Sequence, residues 1–214
     1  MIHFGGVYEA LLAQHGPQRW WPADEPIEII VGALLVQRTT WKNTELALSK
    51  LKQQGLLHVN RLAQAPIEAI EACVKPAGFY RTKSRRLQLL AAAIKLEGGI
   101  DTLEGLLTEP LRNWLLARAG IGPETADAIL LYAFSRPAVV IDAYLRRLSQ
   151  RLTANERAPA DAKLRSLVAD KISDAAALNE FHALVVAHGK NPCGTRPVCA
   201  SCSLRPQCRS GLDA

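Results

Sequence analysis

Four cysteines stand close together near the end of the chain. Cys193, Cys199, Cys202 and Cys208 lie in CGTRPVCASCSLRPQC with the spacing C-x5-C-x2-C-x5-C. Thiols crowded in this way argue for metal ligation over disulfides, and the ligand count suits either a tetrahedral zinc or a four-iron cluster. A fifth, Cys73, sits alone in a helix-like stretch and reads as a small buried hydrophobe. Asp142 precedes AYLRRL, where its type and place suit a helix N-cap. A carboxylate fixed in that way can also stabilise developing positive charge or orient a water. Upstream, LRNWLLARAGIGPETADAILLYAF sets Gly120, Ile121 and Gly122 between two helical runs, with Pro123 at the first helical position of the second. Glycines there permit positive φ and let an anion approach bare N–H groups at a helix N-terminus; without a ligand the same residues make a tight αα-hairpin. The first turn that follows carries Glu124, which cannot form a Schiff base. Trp20, Trp21 and Trp41, three of the four tryptophans, fall in QRWWPADEPIEIIVGALLVQRTTW, and their indoles could pack in a core or stack on a planar ligand.

The elements that must position these residues are helical throughout. Asp24 is expected to cap a buried helix in EPIEIIVGALLVQR. A second helix in TWKNTELALSKLKQQG would place Leu46, Leu48 and Leu51 on its apolar stripe and end at Gly55. APIEAIEACVKPAG, YRTKSRRLQLLAAAIKLEGG, the hairpin, DAYLRRLSQRL and NEFHALVVAHGK continue the pattern, and alternating strand-like runs are nearly absent. The fold expected is all-α. With 214 residues, 49% of them hydrophobic, the chain can form one large or two small helical domains. It has no run of 18 apolar residues and no signal-peptide order at its start, so no membrane partner and a cytoplasmic, nucleoid-associated location are expected. A net charge of +6, with clusters at Lys83–Arg86 and Arg146–Arg147 inside helical patterns, favours a folded basic face and a polyanionic partner.

Together the hairpin and Asp142, eighteen residues after Glu124, resemble the helix-hairpin-helix DNA glycosylases of the endonuclease III type. LLVQRTT, AGFYRTKSRRL and AHGKNPC resemble further segments of that family in the family's order, so the likeness covers most of the chain. The resemblance implies two helical lobes, a central one at 24–131 with the hairpin at about 108–134, and a second formed by 1–23 with 132–214 that ends in the loop 193–208. Duplex DNA containing a damaged base would bind across the cleft, and a monomer is expected. By the same resemblance Gly120, Ile121, Gly122, Thr125, Lys83 and Gln37 contact DNA, Gln37 as a wedge filling the gap left by an extruded base, and Asp142 is catalytic.

Bifunctional members carry a lysine where this chain has Glu124, which implies a monofunctional glycosylase using water. Trp20, Trp21, Pro22 and Trp41 resemble the base pocket of the bacterial 3-methyladenine glycosylases of this type, and that implies an alkylated, cationic purine such as 3-methyladenine or 7-methylguanine. A neutral lesion, a mismatched pyrimidine, or a non-catalytic module for damaged DNA are the alternatives. The four cysteines resemble a [4Fe–4S] loop, with zinc as the alternative; the family pattern has six residues in the first gap where this chain has five.

Overall fold

The computed structural model describes residues 2–154 and 157–212; residues 1, 155, 156, 213 and 214, all assigned above to the second lobe, lie outside them. Among the described residues thirteen α-helices follow one another: α1 (Phe4–His15), α2 (Pro26–Leu35), α3 (Trp41–Gln53), α4 (Val59–Gln64), α5 (Ile67–Val74), α6 (Tyr80–Leu96), α7 (Ile100–Glu104), α8 (Thr108–Leu116), α9 (Pro123–Ala133), α10 (Ala143–Thr153), α11 (Asp161–Ala169), α12 (Ala175–Lys190) and α13 (Arg209–Leu212). Among the described residues there is no strand, so the all-α expectation holds, and no helix is long and apolar enough to cross a membrane. The chain separates into two compact units, Ala23–Arg136 and a unit made of Met1–Pro22 with Pro137–Ala214.

The 23–136 unit is organised around α2, whose residues Ile27 and Ile29–Leu35 are all buried, as befits a helix apolar on every side. It packs on α3, α6 and α9. Its start differs from expectation: Glu25 occupies the N-cap with Pro26 behind it, and Asp24 instead meets the ammonium of Lys52 at 2.6 Å on the surface. On α3, Thr40 caps through the N–H of Asn43, and the buried face is Thr44, Ala47 and Leu51. Leu46, expected on that stripe, is 49% exposed, because it lies two rather than three or four residues from Thr44. Helix α5 ends in a single tighter turn, Lys75–Ala77, after which Gly78 takes φ +69° and frees the chain to start α6.

In the other unit α12 is the central strut. It packs against α1 and α10, and Phe181 meets Phe4 edge-on at 5.9 Å between ring centroids. Asp174 caps α12 through the N–H of Ala177 at 2.9 Å, which starts the helix four residues earlier than the NEFHALVV pattern indicates.

Candidate functional site

The hairpin lies wholly in the 23–136 unit. α8 and α9 are joined by Arg112 Nε, which donates to Asp127 Oδ1 at 2.7 Å; Asp127 is buried, so the pair is shielded from solvent. Between the helices, Gly120 holds φ +85°, a conformation that favours glycine, and a Cβ there would fall 2.5 Å from Arg86 Cδ and displace that side chain. Gly122 is the N-cap of α9, extended and exposed, and a Cβ at that position would meet nothing within 4 Å. Its openness, at a helix N-terminus, suits the approach of an anion. Thr125 and the exposed Glu124 occupy the first turn.

Three residues assigned to the DNA surface have other duties in this structure. Ile121 points inward, with its side chain 5% exposed and its N–H donated to Arg118 O at 3.2 Å. Lys83 is 3% exposed; its ammonium donates to Leu35 O and Ala77 O, both at 2.8 Å, and burial pushes its pKa down. It therefore caps the carbonyl ends of α2 and of the turn after α5. Gln37 Nε2 donates to Gly120 O and to Thr125 Oγ1, each at 2.9 Å, so its amide braces the hairpin from the end of α2. An exposed residue that the motif pattern did not single out lies nearby in sequence order. Phe79 caps α6 at φ +47° with 63% of its surface exposed, and the guanidinium of Arg38 stands 5.8 Å from its ring centre. The signal for it was an aromatic directly after Gly78 at a helix start.

Asp142 belongs to the other unit. It is the N-cap of α10: Oδ1 accepts from Leu145 N at 2.8 Å, while Oδ2 lies 3.5 Å from Nε2 of His182 on α12. The residue is 8% exposed, and the cap fixes Oδ1 while Oδ2 faces the imidazole. Trp20 and Trp21 pair with ring centroids 5.5 Å apart and planes tilted by 41°. Trp20 also walls a cavity of about 280 Å³ with Gln18, Ala183, Val186, Ala187 and Lys190. Pro22, exposed, ends this segment. Trp41, at the first position of α3, belongs to the 23–136 unit.

The same helix that Asp142 caps reaches the cysteine loop at its far end. Arg147 donates to Cys193 O and Gly189 O, and Arg151 donates to the carbonyls of Cys193, Gly194 and Thr195 and to Cys193 Sγ at 3.0 Å. Cys193, Cys199, Cys202 and Cys208 line one cavity of about 50 Å³ with Leu148, Leu204 and His188. His188 Nε2 lies 3.6 Å from Cys202 Sγ, and its Nδ1 lies 3.1 Å from His15 Nε2. Burial foremost, then the neighbouring His15 and Arg151, lowers the pKa of His188 to about 4, so the ring is neutral at pH 7. Burial also raises the Cys202 and Cys208 thiols. Among the described residues no three His, Cys, Asp or Glu side chains close on a point that a single metal ion could occupy.

An all-α chain with a glycine hairpin and a capping aspartate on the following helix defines the class of helix-hairpin-helix proteins. Residues 31–173 match the HhH-GPD superfamily of base excision DNA repair proteins. The chain is 37% identical to a Methanocaldococcus jannaschii protein whose name assigns it provisionally to the DNA repair glycosylases, over 95% of this chain and 94% of that one. It is 31% identical to endonuclease III of Sulfolobus acidocaldarius, over 86% of this chain and 82% of the relative. Among solved structures it resembles the H. pylori 3-methyladenine DNA glycosylase bound to 1,N6-ethenoadenine, with TM-score 0.77, 26% identity, and coverage of 88% of this chain and 98% of that one. It also resembles a non-covalent endonuclease III–DNA complex, with TM-score 0.81, 22% identity, and coverage of 98% and 95%. The chain belongs to the HhH-GPD superfamily and is a DNA glycosylase of the base excision repair family.

Proposed function

We propose that the protein is a monofunctional glycosylase that hydrolyses the N-glycosidic bond of an alkylated, cationic purine in duplex DNA. The observation that carries this reading is that Glu124 stands in the first turn of α9, while Asp142 is held as the N-cap of α10. The place that would need an amine for Schiff-base chemistry holds a carboxylate, whereas a second carboxylate is rigidly presented. Of the two lysines outside that place, Lys83 is enclosed and donates to two carbonyls, and Lys190, at the end of α12, lines the cavity beside Trp20 and is the amine that borohydride trapping addresses. Asp142 then stabilises the oxocarbenium-like sugar and orients the attacking water, and its hold on Leu145 N keeps it from rotating away.

The lesion class follows from charge. An indole face attracts a cationic ring by about 0.5–2 kcal/mol beyond stacking, and alkylated purines such as 3-methyladenine or 7-methylguanine carry both that charge and a weakened glycosidic bond. Trp20, which lines the cavity on α12, and Trp21, whose ring lies 5.5 Å from that of Trp20, are the walls assigned to that base. The likeness to the H. pylori enzyme supports the same choice. Phe79 is assigned the wedge that enters the duplex, because Gln37 would have to give up two hydrogen bonds to do so.

The cysteine loop fits a [4Fe–4S] cluster. Its four cysteines line one cavity with a spacing that resembles the family's cluster loop, and a tetrahedral zinc is the alternative. Cys193, Cys199, Cys202 and Cys208 would hold the cluster, Arg151 would donate to Cys193, and the group when bound would close the loop as a structural cross-link.

Base release should be measured across a panel of duplexes containing 3-methyladenine, 7-methylguanine, hypoxanthine and uracil. Release is expected to rank the cationic bases well above the neutral ones. Equal release of uracil and 3-methyladenine would overturn the alkylation assignment, and binding without release from any lesion would favour a non-catalytic module.

A further inference from the structure

Trp20 and Trp21 lie in a segment, Gly16–Pro22, that has no helix of its own, so side chains from elsewhere must hold it. Gln18 Nε2 closes the segment on itself by donating to His15 O and Gly16 O, at 3.1 and 3.0 Å. The carboxylate of Glu180 on α12 then accepts two consecutive main-chain N–H groups: Oε1 from Gln18, and Oε2 from Arg19 at 3.2 Å. Upstream, Gln14 grips the cysteine loop with both ends of its amide. Its Nε2 donates to Ser201 O at 3.0 Å, and its Oε1 accepts from Ser203 N at 2.9 Å, so the pair brackets Cys202. Trp20 follows Arg19 directly. Glu180, Ala183 and Ala187 succeed one another at spacings of three and four, so one strip of α12 both anchors the segment and lines the cavity beside Trp20.

We propose that Glu180 is a positioning residue for base recognition, which fixes the tryptophan pair against α12 through the N–H groups of Gln18 and Arg19. Gln14 ties the upstream end of the same strap to the cysteine loop. The inference rests on the assignment of Trp20 and Trp21 as the base wall. Two bonds to successive N–H groups set both the height and the direction of the chain entering Trp20, which one bond could not do. The strap lies at the surface, with Pro17 and Arg19 exposed and Gln18 half-buried, so its role is to place residues and contributes little to the core.

The test compares Glu180→Ala, Glu180→Gln and Gln14→Ala with the parent protein. Amide exchange at Gln18 and Arg19 is followed in the free protein, and single-turnover release from 7-methylguanine and hypoxanthine duplexes is followed against protein concentration. Glu180→Ala is expected to speed exchange at both amides by about tenfold or more. It should raise the half-saturating concentration and cut the cationic-over-neutral preference by about tenfold, with a smaller fall in maximal rate because Asp142 is untouched. Glu180→Gln, which keeps an acceptor, should recover part of each loss and serves if the alanine variant does not fold. Gln14→Ala should move the same readouts in the same direction.

Unchanged exchange at Gln18 and Arg19 overturns the proposal. So does faster exchange with the preference intact, provided Trp20→Ala or Trp21→Ala destroys that preference; in that case the wall stands and only the positioning role falls. If neither tryptophan variant alters the preference, the wall assignment itself has failed and the proposal falls with it.

Discussion

Replacing Asp142 by Asn isolates charge from structure, because asparagine caps a helix about as well as aspartate does. The Oδ1 that accepts from Leu145 N at 2.8 Å would be retained, and α10 should keep its start. What disappears is the negative charge that the proposed mechanism sets against the sugar. A unit charge about 4 Å from a carboxylate interacts by about 4 kcal/mol at an effective dielectric of about 20, the value suited to a site near the surface. Lost from the transition state, that is about a thousandfold in rate. Single-turnover base release from a 7-methylguanine duplex, with a thermal melt alongside, is the assay. Asp142→Asn should lose about three orders of magnitude in excision with little change in melting temperature and with DNA affinity kept or improved. Asp142→Ala should lose similar activity and in addition about 1 kcal/mol of stability for the missing cap. An asparagine variant within about tenfold of the parent would refute the electrostatic reasoning and reduce Asp142 to a cap.

The other expectations follow from single contacts. Arg112→Ala takes the guanidinium from the buried Asp127 carboxylate and should cost about 1–3 kcal/mol in denaturant unfolding, with much of it recovered when Asp127→Leu is added to an Arg112→Met background. Lys83→Met leaves Leu35 O and Ala77 O without their donor and should destabilise by about 1–3 kcal/mol, while the salt dependence of DNA binding stays unchanged; a reduced slope would show that Lys83 meets phosphate after all. Gln37→Ala loosens the hairpin and should weaken release from duplex and from single strands alike, since the bonds lost are internal; a loss confined to duplex would restore the wedge role to Gln37. The purified chain should absorb broadly near about 400 nm with about four irons, and Cys199→Ser should lose both; one zinc in a colourless protein would refute the cluster assignment.

The residues that announced themselves in sequence were those whose type is tied to backbone geometry. A glycine forced to φ +85°, a proline opening α9 and an aspartate opening α10 are local consequences of turns and helix ends, and each lies where its neighbours in sequence place it. The polar residues assigned by motif were harder to place, because a motif marks a position and not the direction of a side chain. Lys83 shares its segment with exposed Arg81 and Arg85, yet it faces inward, where two helix-end carbonyls need a donor. Ile121, between two glycines, could pass for part of a ligand loop until its burial showed it to be the apolar plug of the hairpin. Helices α1, α4, α7, α11 and α13 carried no capping and periodic signal strong enough to be named in advance; α1 shows only three buried positions, Phe4, Val7 and Leu11, and α4 only Leu62. The strap from Gln14 to Arg19 was beyond sequence reasoning, since its partners Glu180, Ser201 and Ser203 are more than 160 residues away.

One gel decides between hydrolysis by water and covalent catalysis by an amine. The protein is incubated with an end-labelled 7-methylguanine duplex, and portions are treated with nothing, with hot alkali, or with borohydride present during the reaction. The arrangement of Glu124 and Asp142 predicts an intact strand in the untreated portion, cleavage at the abasic site only after alkali, and no slower-migrating adduct with borohydride. Strand cleavage without alkali together with a borohydride-trapped protein–DNA adduct would contradict the account and return the search to a lysine nucleophile.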